Sequence, residues 1–243
     1  MHDTLIDTSL PTAPFSPAAI PPLENGDRLT RAEFERRYEA MPHPKKAELI
    51  EGVVYMAAAA RLKKHGEPDG YLVTWLGTYS AGTPGVCFAG NTSDRLDLDN
   101  EPQPDGLLYI EPECGGQATI SDDDYLEGAP ELIGEVTASS ASYDLGPKLN
   151  AYRRNGVREY VVWRVLDKEI DWFVLREGRY DRLSPGADGI YRSEVFPGLW
   201  LDRTAMLRRD LAYVLKVLQQ GLISPEHGEF VKRLAGARSG KSM

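Results

Sequence analysis

The 243-residue chain is poor in cysteine: Cys87 and Cys114 are the two it has, and they lie too far apart to form a paired metal-ligand spacing. A disulfide-framed fold and a cysteine-rich zinc module are thereby excluded. No apolar run approaches the ~18 residues that a membrane-spanning helix needs. The stretch Met1 to Thr8 carries His2, Asp3 and Asp7 and lacks the basic-then-apolar pattern of a secretory signal. A reduced, cytoplasmic protein with no membrane partner is therefore expected. Positive charge is also scarce: the formal net charge is -9, which speaks against a protein whose main task is coating nucleic acid. Neither a recognition helix nor a zinc finger is apparent.

What is present is an ordinary globular balance, with 42% hydrophobic and 27% charged residues, enough for a sizeable core. The charge is unevenly spread. Between Asp94 and Glu127 eleven acids face one base, Arg95, whereas Arg203 to Met243 holds 8 Lys and Arg against 3 Asp and Glu. Residues 8 to 22 contain five prolines among small residues and read as an extended tail. The expected organisation is a flexible tail over 1–27, a single domain over 28–220 and a basic, mobile tail over 221–243.

Thr30 with Glu33 three residues later has the form of a capping box and predicts a helix to about Ala40. Ala47 to Ile50 and Val53 to Ala57, joined by Glu51-Gly52, predict a two-residue hairpin. Residues 64 to 80 read as a helix. Val86 to Ala89, Arg95 to Leu98 and Asp105 to Ile110 read as strands, with a surface loop over 111 to 129. Leu132 to Thr137 is a buried strand, and a helix follows from Asp144 or Leu145 to Asn155, stopped by Gly156. Strands are expected at Glu159 to Val165, Glu169 to Leu175, Tyr180 to Leu183 and Ile190 to Arg192. A last helix should run from Asp202 to Gln219, with Leu207, Leu211, Val214, Leu215 and Leu218 on one face. This order predicts an α/β (α+β) fold, one mixed sheet flanked by helices, rather than a doubly wound parallel sheet.

Three residues stand out chemically. Glu135 is the one carboxylate in an otherwise apolar strand, so a partner is required: a cationic side chain or a metal ion. Asp105 opens a strand, and side-chain alternation places it on one face with Leu107 and Tyr109; it is a strand-start acid or a ligand. Lys148 borders the stripe Leu145, Leu149 and Tyr152 at one-turn spacing and is a surface lysine or reaches inward. Two carboxylates on neighbouring strands can hold a hard divalent cation, which activates water, while a lysine orients the nucleophile or offsets developing negative charge. Glu48, in the first hairpin strand, is a further ligand candidate.

The ordered motifs Ala47-Glu48-Leu49-Ile50-Glu51-Gly52, Gln103-Pro104-Asp105, Leu132-Ile133-Gly134-Glu135-Val136 and Asp144-Leu145-Gly146-Pro147-Lys148-Leu149-Asn150-Ala151-Tyr152 resemble a large bacterial group. So do Gly156-Val157-Arg158-Glu159-Tyr160-Val161-Val162 and Phe196-Pro197-Gly198-Leu199. This is the Uma-two group of restriction-endonuclease-like proteins in the PD-(D/E)XK nuclease superfamily, and the likeness covers about residues 28 to 207. It implies a restriction-endonuclease-like sheet, with Asp105 and Glu135 as metal ligands and Mg²⁺ or Mn²⁺ as cofactor. It also implies a nucleic-acid substrate, DNA foremost. Many superfamily members carry a lysine two residues after the second acid; here that position is Thr137, and the resemblance moves the lysine to the following helix, at Lys148. His65 matches a family histidine at the start of the helix after the hairpin, and Tyr152 closes the lysine motif.

A non-catalytic module that keeps the fold for binding or assembly is the rival reading. A calcium loop at Asp94, Asp97 and Asp99 is a third, although those acids lack the Gly and terminal Glu of such loops. The strands over 159 to 192 and the C-terminal helix offer material for a homodimer.

Overall fold

The alternation of apolar side chains in the central strands sorts them between two cores, and this fixes the architecture. The structure, a computed structural model, describes residues 20–42, 46–56, 61–138 and 140–241. Helix α1 (Arg31–Glu39) is capped by Thr30, whose side chain accepts from the Glu33 amide. The Glu33 carboxylate pairs with Arg36 and Arg37. Strands β1 (Ala47–Ile50) and β2 (Val53–Met56) form the expected hairpin. Its turn places Glu51 at φ 52 and Gly52 at φ 72, the doubly left-handed geometry that a two-residue connection needs. Ala57, the expected end of β2, lies outside the described residues.

Helix α2 (Glu67–Ala81) follows a π-helical turn over Leu62–Gly66. Next come β3 (Val86–Ala89), β4 (Asp94–Arg95), β5 (Gly106–Ile110), β6 (Thr119–Ile120), β7 (Leu126–Glu127) and β8 (Leu132–Thr137). The chain turns through the short helix α3 (Ala141–Tyr143), a second π-helical turn over Asp144–Lys148, and helix α4 (Leu149–Asn155). Gly156 stops α4 at φ 86, a left-handed cap. Strands β9 (Glu159–Arg164), β10 (Glu169–Arg176), β11 (Arg179–Arg182), β12 (Ile190–Arg192) and β13 (Trp200–Asp202) come next. Helices α5 (Arg203–Leu207), α6 (Leu211–Leu222) and α7 (Pro225–Lys241) end the described chain.

Six strands form one mixed sheet in the order β11-β10-β9-β8-β5-β3. Within it β8 and β9 are the parallel pair, because the helical segment between them returns the chain to the same end of the sheet. Leu108, Leu132, Val136, Val161 and Trp163 pack with Leu72, Trp75 and Leu76 of α2 and Leu218 of α6. The alternate residues Leu107, Ile133, Tyr160 and Val162 pack with Tyr152 of α4. Helices therefore cover both faces, as the sequence order predicts.

Several details differ from that expectation. The loop over 111–129 contains β6 and β7, which join β4 in a small three-stranded sheet, so β4 stops at Arg95. The last helix is two: Asp210, whose side chain accepts from the Tyr213 amide, caps a fresh start at Leu211. Residues 225–241 are not a mobile tail but helix α7, which buries Phe230 and Leu234 in the larger core. At the other end, residues 1–19 lie outside the described part. The flexible tail expected to reach residue 27 is already packed at Leu23, which joins Phe34, Leu49 and Val54 in a satellite core, and the Gly26 amide donates to Val54 O at 2.8 Å. Among the described residues, no helix is long and apolar enough to cross a membrane.

Candidate active site

Strand register brings the two strand carboxylates together. Gly106 pairs with Gly134 across antiparallel β5 and β8, so one step further places Asp105 opposite Glu135. Both side chains share the α4 face with Leu107 and Ile133. Asp105 is fixed by its Oδ2, which accepts from the Val136 amide at 2.8 Å.

Lys148 comes in from above, at the end of the second π-helical turn. Such turns recur at functional sites because the extra residue re-aims side chains. The lysine is 3% exposed, its Nζ lying 2.7 Å from Glu135 Oε1 and 2.8 Å from Glu48 Oε1, with Asp144 Oδ1 at 4.0 Å. Tyr152 OH donates to the same Glu135 oxygen at 3.0 Å. Glu48 Oε1 also accepts from the Gln103 amide at 2.8 Å, which ties the hairpin to the segment leading into Asp105.

Burial pushes the Glu135 carboxyl up to about 8; Lys148 opposes this, and Asp105, Asp144 and Glu48 add to it. Burial works against the Lys148 charge too, but Glu135 and Glu48 outweigh it and hold the ammonium well above its ordinary range. Three buried acids, Glu135, Glu48 and Asp144, thus lie within 4.0 Å of one buried base, with Asp105 opposite Glu135 beyond them, and acids outnumber bases among the buried groups.

Asp105, Glu135, Lys148, Glu48 and Tyr152 are therefore gathered at one place. His65 is brought alongside: its Nε2 lies 3.6 Å from Asp105 Oδ2, on the π-helical turn that precedes α2. Sequence reasoning missed four neighbours. Lys46 Nζ stands 3.5 Å from Asp105 Oδ1; it lies in the segment just before β1, where a lysine is ordinary in sequence. Asp144 is one turn before Lys148, a spacing that was legible. Tyr143 meets Tyr55 in a tilted ring contact with centroids 4.2 Å apart, and among the described residues its buried hydroxyl has no hydrogen-bond partner. Among the described residues Asp69 Oδ1 is buried with no hydrogen-bond partner, and burial first, then the Asp105 charge, raises its pKa. Neither of the last two had a sequence signal.

Two arginines of α4 are engaged away from the centre: Arg153 donates to Gly178 O and Arg154 pairs with Glu51. The calcium loop does not form. Asp97 instead accepts from the Asp99 amide, Asn100 and Asn155, while Asp94 is fully buried. Among the described residues, no three His, Cys, Asp or Glu side chains group closely enough to hold a metal ion as they stand. The donor chemistry at Asp105 and Glu135 nevertheless fits a hard divalent cation: all donors are carboxylate oxygens in a field of excess negative charge. The hydrogen bonds that fix the two side chains fall on Asp105 Oδ2 and Glu135 Oε1, while Asp105 Oδ1 has Lys46 Nζ at 3.5 Å.

The family described as "Uma2: Putative restriction endonuclease" matches residues 31–204. Among solved structures, "a putative nuclease belonging to DUF820" from Anabaena variabilis ATCC 29413 is similar at 12% sequence identity and a TM-score of 0.54. That match covers 80% of this chain and 99% of the other, and at this identity it shows the fold. No curated protein matches.

Proposed function

The chain belongs to the Uma2 family, and from that premise we propose that it is a metal-dependent nuclease of the PD-(D/E)XK type, hydrolysing phosphodiester bonds in DNA. The observation that supports this most is the facing of Asp105 and Glu135 across β5 and β8, with Lys148 buried against Glu135 and Glu48. Asp105 and Glu135 would hold Mg²⁺ or Mn²⁺, with Glu48 as a further oxygen donor. A divalent ion bound there supplies a polarised phosphoryl oxygen and a water of lowered pKa.

The protein's own part is preorganisation. The Val136 amide holds Asp105 in one rotamer. Lys148 and Tyr152 both donate to Glu135 Oε1, which fixes the carboxylate in place. A dry surround strengthens each of these interactions. A single centre cuts one strand, so a homodimer in a reducing, cytoplasmic setting completes this reading for duplex DNA.

One observation favours the second reading, a silent binding or assembly module. Lys148 is already paired with two of the carboxylates, and no three donors converge among the described residues. Cleavage of mixed DNA and RNA substrates with Mg²⁺ and Mn²⁺ separates the two, alongside calorimetric Mn²⁺ titration. The nuclease reading expects cleavage and Mn²⁺ binding in the wild type and neither in Asp105→Ala or Glu135→Ala. Activity that survives both substitutions belongs to a contaminant or to a different centre.

A further inference from the structure

Lys148 is the lysine that the motif order brings forward, yet its ammonium is enclosed. It donates to Glu135 and has Glu48 and Asp144 within 4.0 Å, it lies 5.5 Å from the Tyr143 ring centroid, and it is 3% exposed. A phosphate arriving from solvent would have to break that cage to reach it. The other side of the site is different. Among the described residues, Lys46 Nζ makes one hydrogen bond, to Asn91 Oδ1 at 2.9 Å, and approaches Asp105 Oδ1 at 3.5 Å, and its side chain is 31% exposed. His65 reaches the other Asp105 oxygen at 3.6 Å, with its side chain 33% exposed. Two half-open nitrogen-bearing side chains, one from the segment before β1 and one from the turn before α2, thus flank the carboxylate that faces Glu135.

Resting on the nuclease reading, we propose that Lys46, with His65 beside it, is the phosphate-contacting edge of the site, and that Lys148 is a positioning residue that does not touch substrate. The ligand class is the backbone phosphate of a nucleic-acid strand. An ammonium serves there as a point charge with donors to spare, since one of its three N–H groups is taken by Asn91. Such a contact is needed at this spot because Asp105 alone would repel the phosphate, and the body of the protein, at net -9, offers little general attraction.

The test uses the full chain and a fluorescein-labelled oligonucleotide, single-stranded and duplex, in EDTA. Binding is followed by anisotropy between 50 and 200 mM salt, conditions that span about one to two decades of affinity for a few phosphate contacts. Lys46→Ala should weaken binding several-fold and flatten the slope of log affinity against log salt by about 0.7 on the single strand and about 0.9 on the duplex, the loss of one contact. Lys46→Arg should restore it, and Lys148→Met should leave the slope at the wild-type value. A wild-type slope in Lys46→Ala overturns the inference. Lys46 is half-exposed, so this variant is expected to fold, which circular dichroism checks; if Lys148→Met fails to fold, the Lys46 pair of variants still decides the outcome. If the wild type neither binds nor cleaves any oligonucleotide, the nuclease reading itself fails and takes this inference with it.

Discussion

Lys148 Nζ lies 2.7 Å from Glu135 Oε1 in a site where both residues are almost fully buried. The pair spans the start of α4 and β8 and holds the helix start against the sheet. Removing one partner of a buried ion pair leaves the other charge without compensation, at a cost of about 3 to 5 kcal/mol. Lys148→Met is therefore expected to lower stability by about that much, and adding Glu135→Gln should recover part of the loss. Chemical unfolding of the two single variants and the double variant in EDTA measures the coupling. Strict additivity would mean that the two side chains do not interact.

Asp105 offers a way to separate chemistry from architecture. Its Oδ2 accepts from the Val136 amide. Asp105→Asn can keep that hydrogen bond through its carbonyl oxygen, whereas Asp105→Ala leaves a buried amide unpaired, at about 1 to 3 kcal/mol. The alanine variant should unfold at clearly lower denaturant than the asparagine variant, while both lose Mn²⁺ binding and cleavage. Equal stability of the two would show that the backbone bond contributes nothing.

Much of this arrangement was legible in the sequence, for reasons that differ by residue. Glu135 announced itself because a carboxylate in an apolar strand needs a partner. The hairpin was readable because Glu51-Gly52 has to take a doubly left-handed turn. The opposition of Asp105 and Glu135 was not readable, because register between strands 30 residues apart is set by packing rather than by local sequence. Lys46 was overlooked because an exposed lysine near a strand start is ordinary until a carboxylate from another strand is brought beside it. Helix α7 was missed for a related reason. Its apolar residues are sparse, and the cleft between the short turn Pro112–Cys114 and helix α6 is what gives Phe230 and Leu234 somewhere to go.

That docking predicts a specific dependence. Phe230 is 3% exposed and meets the Phe196 ring edge-on at 6.2 Å between centroids. On the same helix, His227 Nε2 and Thr83 Oγ1 share a hydrogen bond at 2.9 Å. Phe230→Ala should destabilise the whole domain by about 3 to 5 kcal/mol, the usual cost of emptying a buried aromatic site. A mobile tail would give no measurable change, so a single unfolding curve decides the matter.

Glu159 gives the pH dependence of stability a defined source away from the candidate site. The residue is fully buried at the start of β9, where its carboxylate accepts from Ser193 Oγ and from the Glu194 and Val195 amides, clasping the segment before β13 to the sheet. Burial pushes its carboxyl up to about 7, and the three hydrogen bonds only partly oppose this. The folded protein therefore holds this proton more tightly than the unfolded chain, whose carboxyl titrates near 4.5. Stability from this group is fully present below about 4.5 and is lost as pH rises toward 7, by up to about 3 kcal/mol, after which it is level. Glu159→Gln cannot ionise and keeps an oxygen for the two amides, so its unfolding free energy should fall less between pH 5 and 7.5 than that of the wild type. Glu101, raised to about 8 with burial as the largest cause, keeps part of the slope in the variant. Denaturant unfolding at several pH values measures the difference, and parallel curves for the two proteins would rule out Glu159 as a source.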